Sequence, residues 1–384
     1  MPFAAALSTH PVTAHATGEV VGQILDRLGR HPDLAVLFVT RPHLGALEDA
    51  AGTVRQLLEP SVLIGCGAES VAGNGHEVEE APAVTLWAGV FGPVAPIRLW
   101  SEGTEDESGR QQIEGWPSST PFTAQALLLL ADPYSFPIDG LLRELGGYQP
   151  GLRVLGGMAS AGQGPGANRL ALDDRVFTGG AIGALIGPGI VLETVVSQGC
   201  RPIGRPLVVT KAERNVIYEL AGEPALERLL EMARNGMPDR DVQLINQGLH
   251  VGLVLDEHKV DFGRGDFLIR NVLGADRTNG AMAVGELVDV GTTVQFHVRD
   301  AASADEDLRE LLALRHADGA LLFTCNGRGT RLFDQPDHDA GVVRDLLGDP
   351  PLAGFFAAGE LGPVGTRNFL HGFTASVALF RDSK

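Results

Sequence analysis

Apolar residues in this chain fall in short unbroken blocks, and the blocks recur in a set order. Residues 34–40 (LAVLFVT), a helically spaced stretch at about 44–58 and residues 62–67 (VLIGCG) make a first copy. Residues 126–132 (ALLLLAD), a helix at about 136–146 and residues 153–158 (RVLGGM) make a second. Residues 319–325 (GALLFTC), a helix at about 339–347 and residues 352–359 (LAGFFAAG) make a third. Strands with no polar alternation, placed on either side of a helix, are expected to be covered on both faces, as parallel βαβ units require. A further strand-like block follows each copy, at 83–90, 178–186 and 372–380. The pattern therefore predicts a degenerate βαββ repeat.

Between the second and third copies the pattern changes. Gly187-Pro188-Gly189 punctuates two strand-like runs, 181–186 and 190–196, and shorter runs follow at 207–209 and 216–220. A helix is predicted over about 224–235, with Pro224 in its first turn, Leu226, Leu229, Leu230 and Ala233 on one face, and Gly236 after it. Residues 250–255, 267–272, 281–284 and 292–298 alternate in the manner of antiparallel strands. Ser303 or Asp305 can cap a helix reaching about residue 315. The acidic stretch 101–119 (SEGTEDESGRQQIEGWPSS) reads as an exposed loop. The expected architecture is mixed α/β: two packed domains, 1–215 and 216–384, with mixed sheets built from degenerate βαββ units and antiparallel strands in the middle of the chain.

Length and composition narrow the class of function. A chain of 384 residues exceeds one ordinary domain, and 44% apolar with 20% charged residues describes a globular protein. A net charge of −18 argues against nucleic acid and anionic membranes as partners, since both demand a basic surface. Cys66, Cys200 and Cys325 form no CxxC pair and leave an odd thiol, which fits a reducing compartment. The N-terminal FAAAL run precedes its first arginine, Arg27, by many residues, unlike a signal peptide, and no uncharged apolar run has the length of a membrane helix. A cytoplasmic location is expected.

Candidate chemistry gathers near the C-terminus. Cys325, Asn326 and Arg328 follow one apolar block; Glu360 follows the next; His371 precedes the last. Each sits beside glycine, which allows tight turns and close approach, and strand ends of this kind are where α/β proteins place ligands. Arg328 could fork onto a carboxylate while Glu360 receives an ammonium group, together holding a zwitterion such as an amino acid. The two could equally neutralise each other as an internal salt bridge. A Cys325–His371 pair with Glu360 as orienter would make a thiol-dependent enzyme, although a lone cysteine in an apolar turn is more often inert. Cys200 and Arg201 offer a second cationic turn that could close the same pocket, or form a bend at Pro202. Asp334, Asp337, His338 and Asp339 lack calcium or zinc spacing and read as acidic residues at a helix start, so no metal is expected. Gly156-Gly157 and Gly162-Gln163-Gly164 lack the GK[ST] of a phosphate loop, and no cofactor is expected.

Taken in order, several of these pieces resemble the FIST family, whose halves are the FIST N and FIST C domains. They are LADP at 130–133 with Gly156-Gly157, QGCRPIG at 198–204, NVIYELAG at 215–222 followed by PAL at 224–226, CNGRG at 325–329, GFF at 354–356 with GELGP at 359–363, and HGFTA at 371–375. The resemblance implies an intracellular sensor of a small ligand, of which amino acids are one proposed class. Such sensors are often joined to output domains. Here the sensor halves occupy the chain, so signalling would run through a separate protein partner. The resemblance carries no established catalytic residues.

Overall fold

The computed structural model describes residues 2–28, 31–105 and 111–383. The chain forms two compact units, Met1–Val196 with Leu308–Lys384, and Ser197–Asp307.

The first unit contains the repeat three times. Strand, helix, strand and return strand are Leu34–Thr40, Leu47–Leu58, Val62–Ala68 and Val84–Gly89 in the first copy. They are Ala126–Ala131, Ile138–Tyr148, Arg153–Met158 and Ala181–Ile186 in the second. In the third they are Gly319–Cys325, His338–Leu347, Leu352–Ala357 and Thr374–Asp382. In every copy the first two strands are parallel and the return strand lies antiparallel to the first. Phe3–Ser8, Val94–Glu105 and Ile190–Gln198 extend the three sheets beyond the return strands.

The copies are tied together by exchanged hairpins. The hairpin Val71–Gly73/His76–Val78, which leaves the first copy, pairs with Leu352–Ala357 of the third. Leu170–Leu172/Arg175–Phe177 leaves the second copy and pairs with Val62–Ala68 of the first. Glu360–Val364/Arg367–His371 leaves the third copy and pairs with Arg153–Met158 of the second. Each second strand would otherwise be an open sheet edge. The exchange closes all three edges cyclically and gives the unit a pseudo-threefold plan.

This plan explains the unbroken apolar blocks. One face of the sheets joins a common core in which Phe38 packs 4.8 Å from Phe355 and 6.4 Å from Phe323. The other faces carry helices: Thr13–Leu28 and Leu47–Leu58 on the first sheet, Ile138–Tyr148 on the second, and His338–Leu347 with Leu308 and Leu312 on the third. A glycine signature marks the repeat. Gly65, Gly156 and Gly354 lie opposite Leu37, Leu129 and Leu322 in register. A Cβ there would fall 2.4, 1.9 and 2.0 Å from the leucine carbonyl oxygens, so no side chain fits.

One expectation is corrected here. Residues 101–119 are not simply a loop: the strand Val94–Glu105 pairs with Gln111–Glu114, while residues 106–110 lie outside the described residues. The N-terminal stretch holds a strand, Phe3–Ser8, and a helix, Thr13–Leu28, whose Val20, Val21 and Ile24 are buried.

The second unit is a closed antiparallel barrel. Its strands run Cys200–Glu213, Thr293–Arg299, Leu249–Val254, Phe267–Ala275, Met282–Val284 and Val216–Leu220, and the last pairs back onto the first. The 14-residue strand Cys200–Glu213 serves both neighbours, the corner role that closure requires. Its entry and exit are pinned together, since Ser197 Oγ and Gln198 N both donate to Asp307 Oδ2 at 2.8 Å. Residue 215, the expected boundary, lies in the turn between two strands of this barrel. The helix Ala225–Arg234 buries only Ala225, and Leu230 is 40% exposed, so the predicted apolar face is largely open.

Candidate functional site

The strand Gly319–Cys325 ends where the chain must turn, and the turn is fixed by backbone bonds. Asn326 N donates to Ala357 O at 2.9 Å and Arg328 N to Cys325 O at 2.8 Å. Gly329 then takes φ +58, and a Cβ there would lie 2.7 Å from Glu79 Oε1. This geometry turns Arg328 inward, and its side chain is fully buried. Nε and Nη2 donate to Asp339 Oδ2 and Oδ1 at 2.7 and 2.8 Å, a bidentate pair. Phe333 lies 5.2 Å beneath the guanidinium and stacks on His338 at 3.4 Å. Asp339 also accepts from Thr324 Oγ1 at 2.5 Å and lies 2.9 Å from His338 Nδ1. Burial alone would raise its pKa, but the Arg328 charge and these bonds hold it well below the carboxylate range.

Two further carboxyls border this pair. Glu360 starts the exchanged hairpin, opposite Gly157 on one side and His371 on the other. Its Oε2 accepts from Thr374 N at 3.1 Å and Thr374 Oγ1 at 2.9 Å. Oε1 has no hydrogen bond of standard geometry, with the Cys325 thiol as its neighbour. Burial pushes Glu360 up to about 8, only partly opposed by the Thr374 bonds and the Arg328 charge. Glu77, on the hairpin from the first copy, accepts from Ala340 N at 2.9 Å through Oε1. Burial and the nearby Asp339 push it up to about 8 as well, and its Oε2 is unpartnered. Arg328 Nη1 is likewise buried without a partner. The ionic centre is thus one cation and one anion, and burial favours the neutral form of the two bordering carboxyls.

The structure thus brings Cys325, Arg328 and Glu360 together, with His371 across the hairpin from Glu360. His371 is buried, and its Nε2 donates to Gly362 O at 3.0 Å. Asn326 is half-buried, its Oδ1 3.9 Å from Cys325 Sγ. At the rim, Arg331 pairs with Glu69 at 2.8 Å and Glu80 at 2.5 Å.

Two expectations change. The internal partner of Arg328 is Asp339, not Glu360. Asp339 does sit in the first helical turn, as expected, and its carboxylate there serves the ion pair. Arg201 and Cys200 belong to the barrel unit: Arg201 Nε donates to Asp300 Oδ2 at 2.7 Å and its Nη2 bonds Asp241, while Cys200 is buried opposite Arg299. Glu77 was not visible as a candidate in the sequence. It lies more than 240 residues from its neighbours, and only the hairpin exchange delivers it.

Comparison with known proteins divides the chain at about residue 224, inside the barrel. The FIST N domain model matches residues 33–223 and the FIST C domain model residues 225–363. An uncharacterized protein of Mycobacterium tuberculosis (strain H37Rv) is 46% identical over 390 residues, covering the whole of both chains. An uncharacterized protein of Mycobacterium bovis is 45% identical, covering all of this chain and 99% of its own. FIST domains are generally sensory modules that bind small ligands. Among the described residues no helix is long and apolar enough to cross a membrane. Matched by both domain models along most of its length, this chain belongs to the FIST family.

Proposed function

We propose that the chain senses a small polar metabolite carrying both an anionic and a cationic group, a free amino acid being the simplest, and signals through a separate protein partner. The strand-end cluster is its binding site. One observation carries the reading: Arg328 Nη1 and Glu77 Oε2 are buried polar atoms without hydrogen bonds, and Glu360 has only the Cys325 thiol beside its second oxygen. Such atoms are costly unless something satisfies them, at about 1–3 kcal/mol each. A donor and two acceptors around one ion pair suit a molecule that presents an acceptor to Arg328 and a donor to the carboxyls. Binding an ammonium group would also favour ionised Glu360 and Glu77, so uptake releases protons at neutral pH. Asn326 and the Cys325 thiol, 8% exposed, lie where the cluster approaches the surface; His371 braces the hairpin that carries Glu360. No catalysis is assigned. In the thiol-enzyme alternative His371 would have to serve Cys325 through Nδ1, since Nε2 is held by Gly362 O.

The test is thermal stabilisation by a panel of free amino acids and their decarboxylated and deaminated analogues, measured on wild type and Glu360→Gln. A zwitterion should raise Tm while both truncated analogues fail, and Glu360→Gln should lose the response. Equal stabilisation of both proteins would refute the site.

A further inference from the structure

The barrel unit carries a separate cleft that the strand-end site does not use. It holds about 520 Å³ and lies between the corner strand Cys200–Glu213 and the turn joining helices Ala225–Arg234 and Asp239–Gln247. That volume falls in the range of small-molecule sites. The apolar part of its wall is adaptable: Met232 and Met237 face it together with Phe296. Gly204, at φ +66, admits the Met232 thioether against the strand, since a Cβ there would come within 2.1 Å of its sulfur.

The charges around the cleft are not equivalent. Arg228 is committed to the backbone, donating to Leu220 O at 3.1 Å and Ala221 O at 2.8 Å, and it pairs with Glu231 at 3.0 Å. Asp241 is neutralised by Arg201. Arg205 also lines the cleft, is exposed, and has no ion-pair or hydrogen-bond partner among the described residues. The Asn235 side-chain amide, also lining the cleft, is likewise unengaged among the described residues. With the acids already paired, the cleft offers one free cation and one free amide over a methionine-rich floor.

We infer that this cleft binds a small organic anion with an apolar body, a carboxylate on an aromatic or branched aliphatic group. Arg205 and Asn235 take the carboxylate, and Met232, Met237 and Phe296 take the body. The site is independent of the strand-end cluster and gives the protein a second ligand input.

Isothermal titration with 1-naphthaleneacetate, beside its neutral amide, tests this on the full chain. We expect saturable binding of the acid at one site per chain, with the amide weaker by about tenfold through loss of the charge-assisted contact. Arg205→Glu, at an exposed position that leaves the fold intact, should weaken the acid by at least about tenfold while leaving the amide little changed. Met237→Trp, which fills the floor, should abolish both. Failure of the acid to saturate, or an Arg205→Glu variant that binds it as wild type does, overturns the assignment.

Discussion

Arg328 and Asp339 meet through two parallel hydrogen bonds of 2.7 and 2.8 Å, with the arginine side chain 0% and the aspartate side chain 1% exposed. The sequence places them eleven residues apart in what reads as a glycine turn and a helix start. In the fold they form the ionic centre of a buried cluster, and that changes what each substitution does.

Arg328→Met leaves the Asp339 carboxylate buried and unpaired, which should cost about 3–5 kcal/mol. The double variant Arg328→Met/Asp339→Leu removes both charges and should recover much of that loss. Urea unfolding followed by tryptophan fluorescence isolates the relevant unit, because Trp87, Trp100 and Trp116 all lie in it. Additive losses in the double variant would show that the pair does not act as a unit.

Glycine at the repeat's signature position is required by close approach in every copy, and at Gly156, φ +129, by conformation as well. Gly354→Ala places a Cβ 2.0 Å from Leu322 O and should cost at least about 3 kcal/mol or prevent folding. Gly52→Ala, in an exposed helical position with nothing within 4 Å, should instead stabilise by about 0.4–1 kcal/mol. Melting temperatures of the two variants against wild type give the comparison.

Much of this framework is legible in the sequence, and the remainder is hidden for identifiable reasons. The unbroken blocks at 34–40, 126–132 and 319–325 reveal doubly covered strands because both faces stay apolar until the strand end, where Thr40, Asp132 and Thr324 sit. The alternation between 250 and 298 reveals antiparallel strands. Barrel closure and hairpin exchange are pairings between distant segments, and no local pattern encodes them. Arg328 and Glu360 stand out by their glycine neighbours. Asp339 looks like an ordinary helix-start acid, and Glu77 sits in a short hairpin with no apolar signature. Arg201, two residues after Gly199, reads as a second cationic turn like that of Arg328, yet its charge is taken up by Asp241 and Asp300. Composition cannot separate those outcomes.

The two units should respond to pH with opposite sign. Burial pushes Glu77 and Glu360 up to about 8 from an ordinary 4.5, so the native state binds more protons than the unfolded chain between those values. Unfolding free energy of the first unit therefore falls as pH rises through that window. The lowered Asp339 acts only at the acid end, where its stabilisation is lost as pH drops below its ordinary range. Tryptophan-detected Tm should decline from about pH 5 to about pH 8, and the variant Glu77→Gln/Glu360→Gln should flatten the decline. A wild-type profile that rises over this range would contradict the assigned protonation.

In the barrel, burial pushes His250 and His297 down to about 4 from 6.5. The unfolded chain then binds protons that the barrel refuses, so its stability should fall as pH drops from 6.5 towards 4. Hydrogen exchange of peptides spanning Phe267–Ala275 reads this unit separately from tryptophan fluorescence. His297→Gln should make exchange less sensitive to acid.

The central claim is that the cluster around Arg328, Glu360 and Glu77 holds a small zwitterionic metabolite. Untargeted mass spectrometry of metabolites released from natively purified protein tests it most directly, with wild type beside Glu77→Gln/Glu360→Gln. One metabolite bearing both an anionic and a cationic group should accompany wild type in amounts approaching the protein and be lost from the folded variant. Retention of the same metabolite by the variant, or release of only singly charged molecules by wild type, would contradict it.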